Sequence, residues 1–396
     1  MASSKSSVSD KDKGALIAAA CRDRDVPALV RLATSTAGLL SDGLRRTAWP
    51  LLLGCPEHDA PPPPWTERPP HKDEHQVGLD VARAFVYYPA NDSHRQLDRR
   101  RSDLSSVILH VLRRHPALCY FQGYHDIVQV FLLVLGAHDA AAAVARLSLL
   151  RIRDFMLSTL DPAISQLHLL RPILRAADPE LMAHLPTSQP SFALAHTITM
   201  FAHNIHDYAD ITRLFDFFLA HGAVMPIYLF AAVVLSRRDD LLDIEHEDED
   251  VLYVTLGKLP QPFDVEFHIA RTLELYERLP PQSLGSWEWW KISSSSVLRT
   301  AATVADVRRL TLQDGERFLM QQEKNIRRQQ ALCKASQNAL YIKRHICIYR
   351  RYGYVGLAFI VGAYALWLGR RGPNARYFLY GSLGDLLNKF IGRSAS

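Results

Sequence analysis

From Ala15 almost to the end of the chain, apolar residues recur three or four positions apart, the spacing of helices that bury one face. In "DLSSVILHVLRRHP", Leu104, Val107, Ile108, Val111 and Leu112 fall on one stripe, with Ser102 or Asp103 as the expected N-cap and Pro116 beyond the stop. "ADITRLFDFFLAHG" repeats the pattern with Asp210 as the expected cap and Gly222 just past the end, and "FDVEFHIARTLELYERLPP" ends before prolines. No stretch keeps the period-two alternation of a strand. The pattern predicts an all-α chain, with a packed helical array over residues 15–282 behind a disordered N-terminus at 1–14.

Two segments interrupt it. "HDAPPPPWTERPPHK", residues 58–72, reads as a surface loop, because proline lacks the amide hydrogen a helix needs. Residues 283–302, rich in serine and carrying Trp287, Trp289 and Trp290, read as a linker at the edge of the body. Residues 303–349 read as a basic, polar helical stalk. Residues 352–368 then hold no charge in 17 positions, which at helical rise span about 25 Å. Arg350–Arg351 and Arg370–Arg371 flank them, with Tyr and Trp near the ends. This predicts one C-terminal transmembrane helix, with a buried core helix and a re-entrant hairpin as alternatives. Eight basic residues and no acids between Lys324 and Arg351 put the body in the cytosol. Residues 369–396 are then a short tail, lumenal or lying at the interface over 377–391. "VMPIYLFAAVVL", residues 224–235, is too short to span and reads as core.

Composition sharpens this division. The chain has 396 residues, 48 % hydrophobic and 22 % charged, at a net charge of +5. Met320–Ser396 holds 13 Lys/Arg against Glu323 and Asp385, a surplus of +11 that leaves the preceding 319 residues at −6. A mildly acidic body argues against nucleic acid as a partner. Cys21, Cys55, Cys119, Cys333 and Cys347 include no CxxC pair, which fits a reducing compartment, and the polar N-terminus reads as no secretory signal.

The chain contains no GxxxxGK[ST], GxGxxG or HExxH. His203, His206 and Asp207 in "HNIHD" could ligate a metal but are expected to be a chance pairing, so no metal is assigned. "DIEHEDED" (243–250) reads as a solvated loop, and the serines at 293–296 lack a nucleophile elbow. Sharper chemistry lies in three places. "GLRRTAWPLLLG" brings Arg45 and Trp49 into an apolar turn closed by Gly54. In "VGLDVARAFVYYP", Asp80 and Arg83 stand at i and i+3, on one helical face beside a Val77, Val81, Phe85 stripe that can bury itself. "LCYFQGYHDI" puts Gln122 at the mouth of an apolar run between Tyr120 and Tyr124, either to cap a helix or to face a partner.

In this order the three pieces resemble the signature of the TBC domain of Rab GTPase-activating proteins. They stand as Arg45-x-x-x-Trp49-x-x-Leu52-Leu53-Gly54, Val77-x-x-Asp80-x-x-Arg83 and Tyr120-Phe121-Gln122-Gly123. A fourth match, "TRLFDFFLAHG", places Asp216 at the aspartate of an R-[IL]-[WF]-D segment. The resemblance covers roughly residues 38–275. It departs where Val77 replaces the usual isoleucine and where Tyr124-His125-Asp126 stands for Met-Asn-Asp. It implies a GTPase activator rather than a stand-alone enzyme, working on a GTP-bound Rab with Arg83 as arginine finger and Gln122 as glutamine finger. Asp80 would orient Arg83, Gly123 would allow close backbone approach, and Tyr120 and Tyr124 would buttress the loop. No cofactor of its own is implied, since Mg2+ and GTP belong to the Rab. The apolar C-terminal segment also resembles the endoplasmic-reticulum-anchored branch that acts on Rab1/Ypt1-type GTPases in early secretory traffic. The competing expectation is a membrane-anchored scaffold that binds a Rab without accelerating hydrolysis.

Overall fold

The computed structural model describes residues 10–56, 65–89 and 93–369. The first helices are α1 (Asp10–Arg22), α2 (Val26–Thr34), α3 (Asp42–Leu53), α4 (Glu74–Val81), α5 (His94–Arg114) and α6 (Tyr124–Leu150). Shorter ones follow: α7 (Asp161–Leu167), α8 (Leu170–Ala177), α9 (Pro179–His184) and α10 (Leu194–Ile198). Then come α11 (Tyr208–Ala220), α12 (Met225–Ser236), α13 (Arg238–Leu242), α14 (Glu249–Leu256) and α15 (Val265–Arg278). Four close the described part of the chain: α16 (Trp287–Lys291), α17 (Val297–Thr300), α18 (Val304–Arg309) and α19 (Leu312–Gly369). No strand occurs among the described residues, as the periodicity predicts.

Two compact units divide the chain, residues 1–326 and 327–396. In the first, α6 lies at the centre against α3 and α5. Its apolar residues are buried nearly all round, and the helix breaks at Gly136 (φ 78°, ψ 163°). The Trp49 ring sits among Phe131 and Phe215, with centroids 5.2 and 5.9 Å away. Residues 224–235 are core, as expected, with α12 packed on α8 and α15.

Several boundaries differ from the sequence reading. α1 starts at Asp10, inside the segment expected to be disordered, because Ile17, Ala20 and Cys21 bury one face. The helix expected to begin at Ser102 or Asp103 begins at His94. Ser93 is its cap, in a box with Gln96 that satisfies two terminal amides reciprocally. The polar first turns hid that start, since only Leu97 among residues 94–103 is a large apolar residue. α11 is capped by Asp207, which accepts from the Asp210 amide at 3.0 Å, so Asp210 lies in the first turn. Residues 57–64 lie outside the described part of the proline-rich segment, but Trp65–Glu67 forms a 3₁₀ turn, with Arg113 5.0 Å over the Trp65 ring.

The largest correction is at the C-terminal edge of the body. Residues 283–302 are not a linker: Trp289, Ile292, Val297, Leu298 and Ala301 are buried. Buried Asp154 explains why. It accepts from Ser296 Oγ, from Gln166 Nε2 at 2.6 Å and from Gln322 Nε2 at 2.8 Å. Beside it, buried Arg153 donates to Gln322 Oε1 at 3.1 Å, to Leu149 O at 2.9 Å, and to Ser295 O and Thr300 Oγ1. The first turns of the expected stalk therefore belong to the body, with Leu319 and Ile326 buried, and the exposed polar helix begins near residue 327.

Among the described residues, the helix long and apolar enough to cross a membrane is α6, whose burial makes it a core helix. Of the transmembrane helix expected over 352–368, the described residues contribute an apolar helical stretch at Gly356–Trp367, shorter than that length. Leu357, Phe359, Ile360, Tyr364 and Leu366 on it are exposed. The tail beyond Gly369 lies outside the described residues.

Candidate functional site

The site is built where α4 ends and α6 begins. α4 stops at Val81, so Arg83 lies just past the helix, its amide bonded to Asp80 O at 3.0 Å. Phe85 is consequently not on the expected helical stripe. It adopts φ 63° and its amide donates to Gln129 Oε1 at 2.9 Å, from the second turn of α6. Asp80 is fully buried and accepts from Arg83 Nη2 at 2.5 Å, Gln76 Nε2 at 3.1 Å and Tyr120 Oη at 2.8 Å. The Arg83 side chain is 63 % exposed. A fixed carboxylate thus holds a guanidinium that faces solvent.

The loop before α6 is pinned from several sides. His71 Nε2 meets Leu118 O at 3.0 Å, Cys119 N donates to Met156 O at 2.8 Å, and Tyr120 N donates to Asp73 Oδ2 at 2.9 Å. Phe121 packs on Tyr124 and Phe155, and fully buried Tyr124 bonds Ser148 Oγ at 2.7 Å. Gly123, the N-cap of α6, has φ 100°, and a Cβ there would lie 2.5 Å from Thr199 Cγ2. Gln122 is exposed, precedes the cap residue and takes no hydrogen-bond partner among the described residues. The capping alternative is therefore excluded.

Asp126, in the first turn of α6, accepts from His203 Nδ1 at 2.9 Å and faces His125 Nε2 at 3.2 Å. His125 Nδ1 in turn lies 3.2 Å from Tyr120 Oη. The hydrogen bond with Asp126 raises the His203 pKa against its partial burial. Burial lowers that of His125, with Asp126 and Asp80 opposing. Burial and the bond to Asp80 hold the Tyr120 hydroxyl far above its ordinary value. His206 turns elsewhere and stacks on the Tyr87 ring at 3.6 Å, so the two histidines of "HNIHD" take different partners. No group of three or more His, Cys, Asp or Glu is placed to hold a metal among the described residues.

Arg45, Trp49 and Asp216 form their own cluster. Fully buried Asp216 accepts from Arg45 Nε at 3.1 Å and Nη2 at 3.1 Å, from Trp49 Nε1 at 2.8 Å and from Leu39 N at 2.9 Å. Burial alone would lower the Arg45 pKa, but the Asp216 charge and hydrogen bonds outweigh it and raise the value. This cluster ties α3 to α11. Gln76, Gln129, His125 and His203 complete the site around Asp80 but carry no distinctive spacing. The only signal for Gln129 was an amide inside an otherwise apolar helix.

Comparison with known proteins decides the family, because the Rab-GTPase-TBC domain matches residues 42–242. The chain belongs to this family. It is similar to TBC1 domain family member 20 of Homo sapiens, 40 % identical over 66 % of this chain and 65 % of that protein. It is also similar to GTPase-activating protein gyp10 of Schizosaccharomyces pombe, 34 % identical over 69 % of this chain and 74 % of that protein. The chain thus spans about two thirds of the length of these relatives. Among solved structures, the Ypt/Rab-GAP domain of Gyp1p aligns at 15 % identity and a TM-score of 0.49, over 64 % of this chain and 92 % of that domain. Within the TBC domain, the residues the resemblance singled out separate into two groups. Asp80, Arg83, Tyr120 and Asp126 belong to the network at the α4 end and the α6 start, with Gln122 and Gly123 in the loop that enters α6 and Tyr124 packed beneath. Arg45, Trp49 and Asp216 lie in the α3–α11 core.

Proposed function

We propose that this chain is a GTPase-activating protein for a Rab GTPase, supplying Arg83 and Gln122 in trans to the GTP-bound partner. Phosphoryl transfer needs charge stabilisation and an oriented water more than covalent help. The Arg83 guanidinium, permanently charged and planar, would stabilise the developing charge, and the Gln122 amide would hold the attacking water. The observation that carries this reading is the pairing of a mostly exposed Arg83 with a fully buried, triply bonded Asp80. A surface ion pair built for stability would not fix one partner so rigidly and leave the other open. Mg2+ and GTP remain the Rab's own. The tie of Tyr120 to Asp80 also supports placing Gln122 near Arg83, since Gln122 is two residues further along the same pinned loop.

The finer assignments extend the same proposal. A Rab1/Ypt1-type substrate and an endoplasmic-reticulum membrane, with the TBC domain facing the cytosol, rest on the resemblance. The exposed apolar residues of α19 between Gly356 and Trp367 support a bilayer anchor within 352–368. The test is single-turnover GTP hydrolysis by a panel of Rabs with the full chain in mild detergent. Arg83→Ala and Arg83→Lys should each remove most of a stimulation on the order of 10³–10⁵-fold, because lysine keeps the charge but not the fork. Gln122→Ala should lower the rate without lowering the melting temperature. A Rab whose own switch glutamine is replaced by leucine should still be hydrolysed. Full activity of Arg83→Lys would sink the finger assignment, and tight Rab binding without any stimulation would turn the reading to a scaffold.

A further inference from the structure

Beneath the exposed arginine, six side chains form one continuous chain of polar contacts: Arg83, Asp80, Tyr120, His125, Asp126 and His203. His125 stands in the middle, 8 % exposed, and none of the roles assigned above uses it. Its two nitrogens face different groups. Nδ1 is 3.2 Å from the Tyr120 hydroxyl, and Nε2 is 3.2 Å from Asp126 Oδ1. That hydroxyl has one hydrogen and lies 2.8 Å from Asp80 Oδ2.

Counting hydrogens exposes a conflict. A neutral imidazole carries one N–H. Placed on Nε2, it turns the positive N–H edge toward the Asp126 carboxylate 3.2 Å away, an electrostatic contact, and the Nδ1 lone pair then competes with Asp80 for the Tyr120 hydrogen. Placed on Nδ1, it donates to the Tyr120 oxygen and frees that hydrogen for Asp80, but it turns a lone pair toward the Asp126 carboxylate. The imidazolium alone satisfies both sides.

We infer that His125 is a positioning residue for the arginine finger, acting through Tyr120 and Asp80, and that its proton decides how fully Tyr120 is committed to the carboxylate that aims Arg83. The inference rests on the reading of Arg83 as a finger. The groups facing the imidazole are Asp80 from α4, Arg83 just beyond it, Tyr120 from the preceding loop, Asp126 on its own helix and His203 from the loop before α11. Burial lowers its pKa, Asp126 and Asp80 oppose this, and His203 and Arg83 add to it. The balance favours the neutral ring, so it charges at a lower pH than an ordinary imidazole. Charging removes the Nδ1 lone pair that competes for the Tyr120 hydrogen, so stimulation of hydrolysis rises on acidification.

The test uses the full chain with a responsive Rab, the stimulated rate being divided by the intrinsic rate at each pH from about 5 to 8. His125→Leu should lower the stimulated rate about tenfold, the worth of one bond in a charged network, with Rab affinity unchanged. His125→Asn puts an amide donor near the Nδ1 position and does not titrate. It should retain most of the rate and lose the acid-side inflection. Melting temperatures accompany each variant, and if His125→Leu does not fold, the pH profile of His125→Asn decides. A wild-type rate in His125→Leu, or an unchanged inflection in His125→Asn, overturns the inference while leaving the GAP reading intact. A wild-type chain inert toward every Rab would overturn both, since there would be no finger to position.

Discussion

Replacing Asp216 with alanine removes the acceptor shared by four donors: the Leu39 amide, Arg45 Nε and Nη2, and Trp49 Nε1. The guanidinium it leaves behind is itself buried, its side chain 8 % exposed. Breaking a buried ion pair from one side costs about 3–5 kcal/mol, because the surviving charge stays desolvated. Two effects adjust this figure in opposite directions. Arg45 keeps Asp42 at 3.0 Å, a partly exposed partner that offsets some of the loss. The stranded Leu39 and Trp49 N–H groups add roughly 1–3 kcal/mol each if nothing replaces their acceptor. These terms belong to one network and do not add, so the expected destabilisation is about 4 kcal/mol. Urea unfolding of the full chain in mild detergent, followed by helical circular dichroism, should show a lower midpoint at an unchanged slope. The double variant Arg45→Met/Asp216→Leu should be more stable than Asp216→Ala, because it removes both buried charges. A single variant within about 1 kcal/mol of wild type, or a double variant no better than the single, would refute the account.

Three further outcomes are expected. Gly123→Ala should lose on the order of 1–3 kcal/mol, measured by melting, because alanine is strained at φ 100°. Adding Thr199→Ala should recover only the part due to the Cβ contact. The His203 imidazole should titrate above its ordinary value in an NMR titration, and Asp126→Asn should bring it back down. Its stabilising share is complete below the unfolded value, about 6.5, and disappears as the pH rises through the folded one. The gap in melting temperature between wild type and Asp126→Asn should therefore narrow as the pH rises above about 6.5. Finally, a chain ending at residue 302 should unfold well below one ending at 326, since it lacks Gln322, Leu319 and Ile326; equal melting would show that residues 303–326 do not belong to the body.

The sequence revealed the residues whose spacing is itself a signature and hid those chosen by three-dimensional neighbourhood. Asp80 and Arg83 were readable because three positions separate them, and Tyr120 and Gln122 because they border a glycine at a helix mouth. Gln129 and His203 were not, since their partners lie 44 and 77 residues away, and His125, though its partners Tyr120 and Asp126 are close in sequence, has no periodicity that marks it. The same reason explains the misplaced edge of the domain. Serine-rich residues 293–296 resemble a linker until the buried Asp154 carboxylate that Ser296 serves is known. Helix starts failed where the first turns are polar, as at Ser93, because amphipathic spacing has nothing to register there. The apolar run in α19 was easily seen, but composition cannot say where a continuous helix leaves the body.

The Arg153–Asp154 pair has a consequence for biosynthesis. Asp154 is separated from Ser296 by 142 residues and from Gln322 by 168. Arg146 likewise donates to Leu53 O at 2.6 Å, long available, and to Val307 O at 2.8 Å, far downstream. A ribosome that has completed α6 through α15 has therefore made two arginines and an aspartate that hold only part of their final partners, Leu53 O, Leu149 O and Gln166 Nε2 among them. Their remaining hydrogen-bond capacity is left to water until residues 295–322 emerge. A chain that ends before that segment lacks part of this buried network and should be less stable than one that contains it.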